Sequence, residues 1–125
     1  DHFKAYNDAY GHHAGDHALQ AVARLVEERV RRPLDMAVRL GGEEFAVLLY
    51  GSDQAVAMQL AEGLRAELEQ LGIEHRGSSS GTVLTLSVGV ATLQPAEGLA
   101  LTQLYEQADR ALYLAKANGR NQISN

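Results

Sequence analysis

The chain has 125 residues and a mass of 13.5 kDa, a size that fits one domain. Hydrophobic residues make up 46% and charged residues 22%, which indicates a folded globular domain, and the absence of cysteine excludes disulfides, thiolate metal sites and a cysteine nucleophile. The net charge of −5 argues against a general nucleic-acid binder, and the sequence predicts neither a signal peptide nor a transmembrane helix.

The first half of the chain predicts one helix and one β-hairpin. Helical spacing of apolar residues predicts a helix that begins at Asp16, a candidate N-cap, and ends before Pro33. Alternating apolar residues over 36–49 predict two strands joined at Gly41-Gly42, because glycine tolerates the positive φ of a tight turn. We interpret the opening residues, which carry no cap, as the tail of an element that begins earlier.

The second half of the chain predicts two further helices and more strands. A helix over 53–71 ends at Gly72, which suits a left-handed C-cap, and the last helix covers 101–116. The clearest strand covers 82–91, and a short edge strand covers 121–124. One face of the clearest strand carries only small residues and would accept a closely packed helix: Thr85, Ser87, Gly89 and Ala91.

A strand before a serine-rich turn at 77–81 completes the predicted order α-β-β-α-β-β-α-β. This order is typical of an α+β fold in which helices pack on a mainly antiparallel sheet. The sequence contains neither a G-x-G-x-x-G loop nor a Walker loop, so a dinucleotide-binding fold and a P-loop are not supported.

Two adjacent carboxylates, Glu43 and Glu44, follow the glycine pair at the predicted hairpin turn. Neighbouring residues of an extended segment point to opposite faces, so the two glutamates are expected to do different jobs. Carboxylate oxygens suit Mg²⁺, which takes one or two of them together with substrate phosphates. From the residues alone, a magnesium–phosphate site and a solvated turn remain equally open.

Five segments of the chain match motifs of one protein family. They are 1–8 (DHFKAYND), 11–16 (GHHAGD), 41–45 (GGEEF), 86–91 (LSVGVA) and 109–121 (DRALYLAKANGRN). These resemble the D-x-F-K-x-x-N-D, G-H-x-x-G-D, GG(D/E)EF, S-x-G and A-D-x-A-L-Y-x-A-K-x-x-G-R-N motifs of the diguanylate cyclases, the GGDEF domain family. Because the five segments stand in the family's order and span nearly the whole chain, the resemblance is highly specific.

The resemblance implies a fold, a reaction and a setting. The fold is similar to the palm of polymerases and class III nucleotide cyclases. The reaction condenses two GTP into cyclic di-GMP with release of pyrophosphate, by two-metal phosphoryl transfer across a homodimer, with two Mg²⁺ or Mn²⁺ per active site. The setting is bacterial signalling in the cytoplasm, under an upstream sensor domain of a parent chain that can itself be membrane-anchored. This domain would contact neither nucleic acid nor membrane.

The resemblance also assigns residues. Glu43 is the expected metal ligand and candidate base for the 3′-hydroxyl, and Lys4 would reach the terminal phosphates or the transition state. Glu44 belongs to the motif but receives no sharp role. The remaining expected substrate-binding residues are His2, Phe3, Asn7, His12, Asp16, Gly42, Lys116 and Arg120: Asn7 and Asp16 on the guanine, His12 beside the nucleotide, and the last two on phosphate charge.

Plainer interpretations of the same residues stay open. Asn7 could be a turn residue and Asp16 a helix cap, and Lys116 with Arg120 could simply complement a helix C-terminus. A zinc site at the nearby histidines is less favoured, because cysteine is absent and no third ligand is evident. The candidate histidines are His12, His13 and His17.

A second motif, Arg32-Pro33-Leu34-Asp35, fits the family's R-x-x-D inhibitory site, five residues ahead of the glycine pair. The resemblance implies that Arg32 and Asp35 bind cyclic di-GMP as product and inhibitor. The alternative is a helix-terminal arginine beside an ordinary turn aspartate. A further product-binding arginine of many relatives is replaced here by Gly63, and Arg65 lies two residues farther on, toward a different helix face.

The chain lacks one residue that the family pattern requires, a metal-binding aspartate two positions before Asp1. We therefore expect a single GGDEF domain over 1–125 without its first helix and most of its first strand, and little activity from this chain alone. Two other functions remain open. One is a catalytically inactive sensor of GTP or cyclic di-GMP, and the other is a cyclase that makes a different cyclic nucleotide.

Overall fold

The computed structural model describes residues 1–96, 98 and 100–125. Its helices are α1 (Phe3–Tyr10), α2 (His12–Arg29), α3 (Gln54–Leu71) and α4 (Leu101–Ala117). Its strands are β1 (Met36–Gly41), β2 (Glu44–Leu48), β3 (Val88–Gly89) and β4 (Ile123–Ser124). This is the α+β class that the sequence predicts. None of the helices in these ranges has the length and apolar content needed to cross a membrane.

The beginning of the chain differs from the prediction. The opening residues form α1, and α2 begins at His12, so Asp16 lies inside a helix and its interpretation as an N-cap is wrong. Gly11 makes the corner between the two helices at φ 89°. Its N–H donates to the Asn7 carbonyl at 2.8 Å, and its carbonyl accepts from Gly15 N–H at 3.1 Å. A corner closed by backbone hydrogen bonds needs no side-chain cap, which explains the missing sequence signal.

The predicted hairpin and second helix are confirmed. β1 and β2 pair antiparallel, with Met36 opposite Leu48 and an irregularity in register between Arg39 and Gly41. α3 begins as predicted, because the Asp53 carboxylate accepts from the Val56 N–H at 2.9 Å. It ends at Gly72, which has the left-handed conformation at φ 64°.

The segment 82–91 is extended but forms less regular strand than predicted. Its first part bonds antiparallel to the chain after α3, with Leu84 N–H donating to Ile73 O at 2.7 Å. Its second part, β3, pairs parallel with β4. The strand pairing in the described residues is thus mainly antiparallel, as predicted, in the hairpin and in the bridge between Glu74 and Val83, and β3 with β4 adds one parallel pair.

The core lies where α1, α2 and α3 meet the extended segment. Its buried residues are Tyr6, Ala18, Val22, Val26, Leu64, Leu68 and Leu84. Gly89, on the small-residue face of the segment, packs against α4 as predicted, whereas Thr85 and Ser87 on that face donate hydrogen bonds to Asp1. A Cβ built on Gly89 would lie only 2.2 Å from the Ala108 carbonyl oxygen. This contact fixes the distance between the segment and the helix that carries Lys116.

Candidate functional site

The hairpin tip presents an exposed carboxylate on a constrained turn. Gly42 adopts φ 53°, and its carbonyl accepts two hydrogen bonds from the Arg39 guanidinium, at 2.9 and 2.6 Å. Glu43 follows at the tip and Glu44 begins β2 opposite Gly41, and both glutamates are exposed. Arg39 was not predicted as a site residue, yet its guanidinium holds the Gly42 carbonyl directly before Glu43.

Asn7 carries a buried polar atom without a partner. Its Oδ1 is buried and accepts no hydrogen bond from any residue the structure describes. Gly15 makes room for it, since a Cβ there would lie 1.8 Å from Oδ1. An unsatisfied buried acceptor costs about 1–3 kcal/mol, a cost that a hydrogen-bond donor from a ligand or water would remove. The α1–α2 corner thus holds a side-chain amide ready for a hydrogen-bond donor.

A groove of about 490 Å³ separates α2 from the hairpin. Asp16 contributes an exposed carboxylate to it, next in sequence to the glycine against which Asn7 packs. Arg39 and Phe45 line the opposite side, from β1 and β2. The volume lies in the range of small-molecule sites, and the wall combines an aromatic ring, an acceptor and a cation.

A second group of charges surrounds Asp1. Its carboxylate accepts hydrogen bonds from Thr85 Oγ1 at 2.9 Å, Ser87 Oγ at 2.6 Å and Asn121 N–H at 3.1 Å. The hydrogen bond from Asn121 places the loop that carries Arg120, at the end of α4, beside Asp1.

His2 lies beside this region in a left-handed conformation at φ 54°. Its carbonyl is 3.0 Å from Nε2 of the fully buried His75, and its own ring is 3.0 Å from Ser79 Oγ. Burial lowers the pKa of His2, and the charge of Arg120 lowers it further. The neutral imidazole is therefore favoured. His75 was not predicted, and an isolated histidine in a loop gives no sequence signal.

The other predicted residues lie at helix ends. Phe3 begins α1, with the exposed Lys4 next to it, and the exposed His12 begins α2. Lys116 lies in the last turn of α4 and Arg120 three residues beyond the helix. Within the described residues, no polar contact joins Lys4 or His12 to Glu43 or to the Asp1 carboxylate.

The Arg32–Asp35 motif forms a closed pair. The Arg32 guanidinium donates two hydrogen bonds to the Asp35 carboxylate, at 2.7 and 2.9 Å. It also donates to Tyr50 O at 2.5 Å and Ser52 Oγ at 2.9 Å, while Asp35 accepts from Tyr50 N–H at 2.9 Å. The hydrogen bond from Arg32 is the main reason that the pKa of Asp35 is lowered. The pair ties the loop before β1 to the loop before α3.

The histidines of α2 do not form a zinc site of three ligands. His13 and His17 approach to 3.3 Å between their Nε2 atoms. No group of three potential ligands from histidine, cysteine, aspartate or glutamate occurs in the part of the chain that the structure describes. A tetrahedral structural zinc site needs four ligands.

Comparison with known proteins agrees with these features. The family model described as "Diguanylate cyclase, GGDEF domain" matches residues 1–122. Diguanylate cyclase A of Treponema denticola is 39% identical over 99% of this chain. The chain belongs to the diguanylate cyclase GGDEF domain family. It spans 32% of the length of that Treponema relative.

Two solved GGDEF domains show the same fold. The active GGEEF domain of a diguanylate cyclase from Vibrio cholerae is 33% identical, with a TM-score of 0.82 over 99% of this chain and 76% of that one. The GGDEF domain of DgcB from Caulobacter crescentus, in complex with c-di-GMP, is 29% identical, with a TM-score of 0.81 over 99% of this chain and 71% of that one. The GGDEF domain described here therefore has the α+β architecture of these neighbours.

Proposed function

We propose that this GGDEF domain is a diguanylate cyclase that condenses two GTP into cyclic di-GMP and two pyrophosphates. The observation that carries the proposal is the hairpin tip, where two hydrogen bonds from Arg39 fix the Gly42 carbonyl and Glu43 stands exposed. An exposed carboxylate suits a reaction that removes a proton from a hydroxyl, and the cations Lys116 and Arg120 are proposed to balance the charge that develops on phosphate. The active Vibrio neighbour carries a GGEEF motif, which supports glutamate at this position.

The residues present fit Mg²⁺ or Mn²⁺ as substrate-borne ions. The tip supplies one hard carboxylate ligand, Glu43, and the described residues contain no cluster of three ligating side chains that would form a protein cage. Mg²⁺ is commonly held in this way, by one or two carboxylates, substrate phosphates and water. When bound, the ions would supply Lewis-acid stabilisation of charge on the phosphates.

In the proposed mechanism the α1–α2 corner binds the base. The guanine N1–H and N2–H groups donate hydrogen bonds to Asp16 and to the buried Oδ1 of Asn7, which has no partner among the described residues. Phe45 offers an apolar surface in the same groove. These contacts orient the nucleotide, which converts the encounter of two substrates into attack from a fixed position.

The phosphate end of the site is assigned to the cations. Lys116, Arg120 and Lys4 compensate the phosphate charge, with the main chain of His2 and Phe3 beside them. The 3′-oxygen of one GTP forms a bond to the α-phosphorus of the other, and the bond to pyrophosphate breaks. Glu43 accepts the hydroxyl proton. Each domain of a homodimer holds one GTP, and repeating the step with the roles exchanged closes the ring.

Product inhibition is assigned to Arg32 and Asp35. The Arg32 N–H groups that would bind a guanine or phosphate of cyclic di-GMP already donate to the Asp35 carboxylate. Product must therefore compete with the Arg32–Asp35 pair. The Arg32 side chain is 54% exposed and therefore accessible, whereas the Asp35 side chain is 5% exposed, so product would reach Asp35 only when the pair opens. The Caulobacter neighbour was solved in complex with c-di-GMP, which supports binding of this ligand class.

The test is product analysis by mass spectrometry on the full-length protein with GTP and Mg²⁺. The account predicts cyclic di-GMP from the wild type and from Glu28→Gln, a matched control on the exposed face of α2. It predicts none from Glu43→Gln, while binding of cyclic di-GMP at Arg32 and Asp35 persists. A folded wild type that binds GTP or cyclic di-GMP but forms no product would refute the proposal and indicate a sensor.

A further inference from the structure

The loop that carries Arg120 has an unusual backbone. Gly119, Arg120 and Asn121 have φ values of 117°, 64° and 46°, so three consecutive residues adopt positive φ and two of them are not glycine. Non-glycine residues persist in this region only where surrounding contacts determine the conformation, and such positions cluster at functional sites. The contacts that hold this loop are therefore informative.

Asn121 is held through its side chain by α3. Its Oδ1 accepts from Arg65 Nη1 at 2.9 Å, and its Nδ2 donates to Glu69 Oε2. Arg65 is in turn fixed by a two-point pair with Glu62, at 2.5 and 2.8 Å, and lies 3.5 Å from Glu69 Oε1. The Arg65 side chain is only 16% exposed. Asparagine can satisfy both partners because its amide both donates and accepts.

The other side of Asn121 faces Asp1. Its backbone N–H donates to the Asp1 carboxylate, which is itself anchored on Thr85 and Ser87. Arg120 is thus followed by a residue fixed from two directions, by α3 and by the segment that leads into β3. The charge of Arg120 is also one of the causes that lower the pKa of His2, after burial.

We propose that Arg65 and Glu69 are positioning residues that act through Asn121 to hold Arg120 at the phosphate end of the site. This inference rests on the proposed function, because it gives Arg120 a substrate to meet. Within the described residues, the polar contacts of Arg65 and Glu69 reach Asn121 and not the hairpin tip or the α1–α2 corner. Any effect they have on the site would therefore pass through the loop that carries Arg120. In this proposal Arg65 holds Asn121 and takes no part in product binding at Arg32 and Asp35.

The test is a double-mutant cycle in the full-length protein, with GTP KM, kcat and GTP affinity by calorimetry as readouts. Asn121→Gly keeps the positive φ accessible and removes the side-chain contacts. We expect KM to rise about tenfold or more with a smaller change in kcat, the scale expected when a charged group is displaced. In the Arg120→Ala background the same change should add almost nothing, because Asn121 would act through Arg120.

Two comparisons separate positioning from general stability. Asn118→Gly makes the same change earlier in the loop, at a residue with φ −86°, and should leave KM near wild type. Arg65→Gln should reproduce the effect of Asn121→Gly, and Arg65→Lys should restore part of it. Effects of Asn121→Gly and Arg120→Ala that simply multiply, or an unchanged KM in Asn121→Gly, would overturn the proposal.

The experiment distinguishes failure of the proposed cyclase activity from failure of the positioning role of Arg65 and Glu69. A wild type that binds GTP but makes no cyclic di-GMP refutes the cyclase activity, and the calorimetric cycle still decides whether Asn121 acts through Arg120. A wild type that does not bind GTP overturns both. If Asn121→Gly unfolds the protein, Arg65→Gln and Glu69→Gln carry the cycle, because these side chains are partly exposed at 16% and 42%.

Discussion

Replacing Gly89 with alanine should destabilise the protein strongly. The added Cβ would lie 2.2 Å from the Ala108 carbonyl oxygen, 2.3 Å from Leu112 N and 2.8 Å from Leu112 Cα. Carbon contacts are favourable near 3.5–4.0 Å, so α4 must move by roughly 1 Å or more. The clashing atoms belong to the helix backbone and cannot rotate away. We therefore expect the upper end of overpacking costs, about 3 kcal/mol.

Thermal unfolding followed by circular dichroism measures this cost. For a domain of this size, about 3 kcal/mol corresponds to a loss of roughly 12 °C in Tm. Gly77→Ala is the matched control, because the nearest atom to its Cβ would be the Ala5 carbonyl oxygen at 3.2 Å, followed by the Ala5 Cβ at 3.4 Å. We expect it to cost less than about 1 kcal/mol. Equal Tm values for the two variants would refute the close packing of β3 on α4.

Three further predictions concern single substitutions. Gly63→Ala should raise the free energy of unfolding in urea by up to about 1 kcal/mol, because alanine has the higher helix propensity and only the flexible end of Arg29 must move. Arg29 pairs with the partly exposed Glu67, so its displacement should cost little, and a clear loss of stability would contradict the prediction. Asp35→Asn should make the fall in Tm below about pH 4 less steep. The pKa of Asp35 is lower in the folded than in the unfolded protein, so the ionised carboxylate stabilises the fold above the unfolded-state pKa and this stabilisation is lost as the pH falls. The same dependence of Tm on acid pH in both proteins would contradict the pairing. Arg32→Ala should raise the cyclic di-GMP concentration that half-inhibits the wild-type reaction by about tenfold or more without changing initial rates, measured by pyrophosphate release; unchanged inhibition would move the product site elsewhere.

Elements with a local chemical signal could be predicted from the sequence. α3 has an aspartate cap and a terminal glycine, and the hairpin has its glycine pair, so their bounds matched closely. α1 has no such signal, because His2 before it is left-handed and offers no cap. The start of α2 was misplaced for the same reason, since the Gly11 corner is closed by backbone bonds alone.

The strand over 82–91 shows what alternation does and does not reveal. The alternation correctly placed Gly89, which packs on α4, on the face opposite the buried Leu84 and Val90. It could not reveal hydrogen-bond partners, which lie far away in sequence: Ile73 for one end and β4 for the other. Pairing depends on tertiary contacts that a local pattern does not encode.

The candidate site was predicted by motif and completed by geometry. The tip glutamate, Asn7 and Asp16 were expected from the sequence, and their roles remain predictions. The structure added the residues that hold others in place: Arg39 on the Gly42 carbonyl, and Arg65 on Asn121. Such contacts join positions distant in sequence or depend on a turn conformation, so they cannot be predicted from the spacing of residue types.

The most direct test of the account is the product formed from GTP and Mg²⁺ by the full-length protein and by its Glu43→Gln variant, analysed by mass spectrometry. The account predicts cyclic di-GMP from the wild type and its loss in the variant, with Glu28→Gln unaffected. Undiminished product from Glu43→Gln would contradict the role given to the hairpin tip. A folded wild type that forms no cyclic di-GMP would contradict the cyclase activity itself.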